Sequence, residues 1–247
     1  MGTTEVFPRQ EKTKHKTITT TIKLQTHTTN RKEEHMHHET TDGRSVLVAL
    51  RSLIPDRPTD FTEAKQIAEL QANRLLALFN VTEGAVSSEI VASLPRVRVI
   101  YVDLPSAVSG TSHWDKRHWV IALNKNDAPV RQRFTLMHEF KHIIDHGRTH
   151  LLYVSNSRYT AAEQAERAAD HFAGAILMPK RLLKSAWASG LQTSSALARY
   201  FNVSIIAAEV RLSQTRLNAA RDIVTKPLNN ASHALHCRPS LAEGFLL

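Results

Sequence analysis

Apolar side chains recur at helical spacing over Ala64, Ile67, Ala68, Ala72, Leu75, Leu76 and Phe79, predicting a helix over 60–80 with one buried face. Asp60 is its expected N-cap, with Glu63 in the first turn. Short helices are expected over 45–53, ended by Ile54-Pro55, and over 87–93, ended by Leu94-Pro95. The pattern then changes period. Arg96, Val97, Arg98 and Val99 alternate charged and β-branched residues, so 96–103 reads as a half-buried strand. Strands over 111–114 and 118–123 flank a turn at Asp115-Lys116-Arg117 and read as a hairpin. His113 and His118, beside that turn, are expected at the surface.

Helical period returns after the hairpin. Asp127 is the expected N-cap of a helix with Pro129 in its first turn, running to His146 and stopped by Gly147. A second long helix is expected over 159–175, with Thr160 as N-cap and Glu163 three residues on. Helices over 179–187, 195–201 and 205–217 follow. The last two, joined by Asn202-Val203-Ser204, have the layout of a helix-turn-helix. A recognition helix should open with polar side chains that read base edges. This one opens Ile205-Ile206-Ala207-Ala208, which favours a packed helical pair over DNA binding.

Composition changes the picture mainly at the ends. Residues 1–44 hold twelve Thr and five His with few large apolar side chains, too little to offset their ordering entropy, so a disordered tail is expected there. Residues 222–247 read as a second loose tail. The remainder divides into an expected domain over 45–190 and the helix-turn-helix-like region over 191–221. The net charge of +9 is spread along the chain rather than gathered in a basic run with interleaved aromatics, so a nucleic-acid surface is the less favoured reading. One cysteine excludes an internal disulfide framework, and no apolar run approaches 18 residues. With no apolar secretory segment near residue 1, the expected location is the cytoplasm, away from membranes.

The chemistry concentrates in His138-Glu139-x-x-His142. Residues four apart leave one face of a helix about a turn apart, so two imidazoles can share a Zn²⁺ while Glu139 takes a proton from water beside it. Composition alone gives about 0.04 chance occurrences of the motif, so it needs context. Glu166 and Asp170, four apart on the next long helix, supply it. Glu166 completes a two-His, one-Glu ligand set, and Asp170 can accept the free ring N–H of a ligand histidine. His146 and His150 continue the spacing of four but drift off the face, and are expected as bystanders or supporting groups.

Arg131-Gln-Arg-Phe-Thr-Leu-Met-His-Glu-Phe-Lys-His142, followed by Glu166-x-x-Ala-Asp-x-Phe-Ala-x-x-Ile-Leu-Met-Pro179, resembles the ImmA/IrrE family of zinc metallo-endopeptidases over roughly 60–217. The resemblance implies an α+β fold: a mostly helical zincin-like core with a small β-sheet, followed by the helical region. It also implies His138, His142 and Glu166 as ligands of Zn²⁺ and Glu139 as catalytic acid/base. The implied activity is an anti-repressor endopeptidase acting on a helix-turn-helix transcriptional repressor of a mobile element, prophage or stress response. The alternative is a non-proteolytic regulator with a structural metal, binding DNA or a repressor. Lys141 departs from the family, where glycine is frequent; pointing to solvent it would be harmless, and over the cleft it could alter substrate choice. Tyr153, Tyr159 and His171 are unranked candidates for oxyanion stabilisation.

Overall fold

Ser45 accepts a hydrogen bond from the Val48 amide and so starts α1 (Val46–Arg51). The computed structural model describes residues 45–217, all within one compact unit of the chain. The tails expected at 1–44 and 222–247, and the end of the 191–221 region, lie outside the described residues. Asp60 caps α2 (Phe61–Leu78) by accepting from the Glu63 amide, as the pattern predicts. After the short α3 (Glu89–Ala92) come β1 (Val97–Val102), β2 (Gly110–Trp114) and β3 (Trp119–Asn124). Central β3 pairs parallel with β1 and antiparallel with β2, in the order β1-β3-β2. Its position explains the unbroken apolar run Val120–Leu123, since each of these residues is buried.

Helix α4 (Pro129–Asp145) packs across the sheet. Its N-cap is Ala128 rather than Asp127, whose carboxylate instead pairs with Arg131 one turn on. Gly147 follows it with φ +79°, the left-handed conformation that glycine adopts at least cost. A short helix unforeseen in the sequence, α5 (Thr149–Leu152), leads to α6 (Ala161–Leu177), where Thr160 and Glu163 close a capping box worth about 1 kcal/mol. Ala168, Ala169, Ala173 and Gly174 are buried along α6, and this small-residue face accounts for its close packing against α2 and α4. Phe140 of α4 meets Phe172 of α6 at 6.4 Å between ring centroids, both with no exposed surface.

Three further helices complete the described chain: α7 (Lys180–Ala188), α8 (Ser194–Phe201) and α9 (Ile205–Thr215). Asn202 takes the left-handed conformation (φ 51°) between α8 and α9. Leu197, Phe201, Ala208 and Leu212 from this pair join the same core as α2, α4 and α6. Arg211 of α9 is 2% exposed; it donates twice to Glu69 of α2 and once to the Met178 carbonyl after α6. Among the described residues, no helix is long and apolar enough to cross a membrane.

Candidate metal centre

Two helices and one strand converge on the site. Helix α4 supplies His138, Glu139 and His142, and α6 supplies Glu166 and Asp170. Strand β2 runs alongside α4, with Gly110 against Thr135. A Cβ at 110 would lie 2.5 Å from the Thr135 Cγ2, so this approach requires glycine. Two residues on, and hence on the same strand face, the Ser112 hydroxyl donates to the Glu139 Oε2 at 2.9 Å.

The His138 and His142 Nε2 atoms stand 3.1 Å apart. Glu166 reaches both, with Oε2 3.2 Å from the His138 Nε2 and Oε1 3.4 Å from the His142 Nε2. One donor atom from each residue falls within a 4.8 Å group. Ligand atoms of a tetrahedral zinc with bonds of about 2.0–2.1 Å lie about 3.3 Å apart, so these separations fit such an ion. On the other side of the His138 ring, Nδ1 lies 2.9 Å from the Asp170 Oδ1. Asp170 can accept the Nδ1–H there, which leaves the Nε2 lone pair facing the cluster.

The electrostatics agree with ligation. Burial, reinforced by the neighbouring His138, pushes the His142 pKa down to about 3, so its ring is neutral at pH 7, the state that binds metal. Burial raises the Glu139 carboxyl above its ordinary value, against the opposing effects of His138 and the Ser112 hydrogen bond. Glu139 is 2% exposed, a carboxylate held in a dry site beside the ligand set.

The five residues singled out in the sequence are thus brought together, and other expectations are corrected. Lys141 neither reaches solvent nor leans over the cleft. It is fully buried and pairs with Asp145, which also accepts from the Tyr153 hydroxyl. Tyr153 is thereby committed, and His171 pairs with Glu69 at 2.9 Å. Tyr159 packs edge-on against Phe61 with the Arg167 guanidinium over its ring. His146 is exposed and packs against Trp119, its centroid 4.8 Å away. The residue missed in the sequence is Ser112. Its only sequence signal is period two from Gly110, and the register of β2 on α4 is a tertiary fact.

Residues 93–213 match the Peptidase_M78 family, described as the IrrE N-terminal-like domain. No curated relative matches the chain. Among solved structures, a Mycobacterium tuberculosis transcriptional regulator is similar with a TM-score of 0.51 and 18% identity, covering 69% of this chain. The match spans about half of that protein (52%), and at this identity it speaks to the fold alone.

Proposed function

We propose, from the premise that this chain belongs to the ImmA/IrrE family of metallopeptidases through its IrrE N-terminal-like domain, that it is a zinc-dependent endopeptidase. The observation that carries the reading is the convergence of three ligand atoms at tetrahedral spacing beside a buried carboxylate. His138, His142 and Glu166 would hold the ion, and two imidazoles with one carboxylate suit zinc and leave a position open. Bound there, the ion would supply Lewis-acid activation of water and of a peptide carbonyl. Glu139 takes the proton of the attacking water and delivers it to the leaving amine. Its raised affinity for a proton suits a group that must hold one briefly. Ser112 fixes one carboxylate oxygen by donating to it, which leaves the other to take the proton of the reacting water. Asp170 holds the His138 ring in its ligating tautomer.

The substrate we propose is a cytoplasmic helix-turn-helix repressor, which would make the chain an anti-repressor. The family resemblance supports that target. DNA binding through α8 and α9 is the less favoured reading. Arg211 is committed to the core, and the start of α9 exposes Ile205 and Ile206 where base-reading side chains would be polar.

Glu139→Gln tests the mechanism. With a repressor encoded nearby as substrate, the variant should keep its zinc and lose about 10²–10⁴-fold in kcat. Repressor loss at the wild-type rate in the zinc-loaded variant would remove Glu139 from the chemistry and, with it, the peptidase reading.

A further inference from the structure

Beyond the metal ligands, strand β2 and the end of α4 carry a cluster of aromatic side chains. On β2, Gly110, Ser112 and Trp114 share the face toward α4, and on α4 the stripe Thr135, Glu139 and His142 runs beside them, with His146 just past the helix end. Gly110 meets Thr135, Ser112 meets Glu139, and the far end is closed by Trp114, Trp119 and His146. The two indoles lie 5.4 Å apart between centroids, and Trp119 packs edge-on against His146. These three side chains form one wall of a cleft of about 650 Å³ whose floor is apolar, with Val46 and Val97 among its lining. That volume lies inside the range of roughly 300–1,000 Å³ typical of ligand pockets. Trp114 stays 43% exposed, an uncommon state for so large an apolar side chain, two residues along β2 from the Ser112 that donates to Glu139.

Among the described residues, β2 pairs only with β3 and is therefore an edge. An edge strand can take an extended peptide through its free backbone groups while pockets along it select alternate side chains. Ser112 marks the position of the reacting bond, and Trp114 lies two residues farther, about 7 Å along the strand. The cleft's charged lining is Arg51 and Arg96, with no carboxylate. A lysine or arginine side chain would gain no partner there, whereas a flat or branched apolar side chain would bury its surface against the indoles.

We propose that the Trp114–Trp119–His146 cleft is the specificity pocket of this enzyme, taking a bulky apolar side chain of the protein substrate about two residues from the cleaved bond. The proposal rests on the peptidase reading for its placement, but its binding chemistry can be measured separately. The probe is a positional-scanning library of N-acetylated, C-amidated decapeptides, used in two arms. In the cleavage arm, the zinc-loaded protein should prefer Phe, Leu or Met over Lys, Arg and Gly at one position two residues from the bond. Trp114→Ala should erase that preference by raising KM at least about 10-fold while kcat holds within about twofold, and Trp114→Phe should restore it.

In the binding arm, immobilised Glu139→Gln protein captures the library intact, with and without Trp114→Ala. Enrichment of Phe, Leu or Met peptides that depends on Trp114 supports the pocket. If the wild type cleaves nothing but the Trp114-dependent capture remains, the peptidase reading fails and the pocket stands. Cleavage without an apolar preference at that position, or a preference that survives Trp114→Ala, overturns the pocket and leaves the peptidase reading in place. Absence of both cleavage and Trp114-dependent capture overturns both.

Discussion

Two partly buried polar networks share α6, and they treat charge in opposite ways. Toward α4, Glu166 and Asp170 join Glu139 around two imidazoles, and the donors that reach Glu139 and Asp170 are a hydroxyl and a ring N–H. Toward α2 and α9, the Glu69 carboxylate receives both ends of the Arg211 guanidinium and the His171 ring. Burial opposes ionisation of Glu69, but the hydrogen bonds from His171 and Arg211 outweigh it and hold the carboxyl at about 2. Burial of Glu139 wins instead, and its carboxyl is raised. The second network is a finished ion pair that ties α9 to the core. The first gathers carboxylates and a neutral histidine into a volume suited to a divalent cation. Burial of polar groups alone does not mark a functional site; the balance of charge within the network does.

The largest effect expected from breaking this contrast is on stability, at the finished pair. Arg211→Met removes the cation and leaves Glu69 half-buried with His171 as its remaining ion-pair partner. Breaking such a pair costs about 3–5 kcal/mol, to be read from urea unfolding. A loss below about 1 kcal/mol would mean that α9 is held by its apolar face alone. Next is Asp170→Ala, at the edge of the unfinished network. It removes the acceptor that orients His138 and should weaken zinc binding about 10–100-fold, or about 1.4–2.8 kcal/mol, in competition with a chelator. The same substitution should leave the urea midpoint of the metal-free protein nearly unchanged, because it relieves crowding of carboxylates. A midpoint that falls as far as in Arg211→Met would erase the distinction between the two networks.

The two networks also differ in how visible they are in the sequence. His138, His142, Glu166 and Asp170 are legible because each pair sits four apart on a helix, and helical spacing converts directly into a shared face. The caps at Asp60 and Thr160 are legible for the same local reason. Arg211–Glu69 joins positions 142 residues apart, and Ser112–Glu139 depends on how β2 lies on α4. Neither can be read from a local period. Lys141 and Asp145, four apart, are both buried by the packing of α4, which their spacing alone does not reveal. The register of a helix against its neighbours, rather than its own sequence, decides which face becomes interior. Asp127 loses the cap to Ala128 for a local reason instead: its carboxylate pairs with Arg131 one turn on.

A further expected effect is a pH dependence that belongs to the finished pair. The Glu69 carboxyl falls from its ordinary 4.5 to about 2 on folding. Between those values the unfolded chain binds the proton more readily than the folded one, so stability falls as the pH falls. The contribution is complete above about pH 4.5, declines from 4.5 toward 2 and is gone below 2. Glu69→Gln removes the titration while keeping a hydrogen-bond acceptor for Arg211. The gap in urea midpoint between wild type and this variant should therefore shrink as the pH falls below about 4.5. Other carboxylates held low on the surface, such as Glu63 beside Arg57 and Asp103 beside Lys125, titrate in both proteins and cancel in the difference. A gap that stays constant down to pH 2 would show that ionisation of Glu69 does not secure α9, and the contrast with the metal centre would then rest on hydrogen bonding rather than on charge.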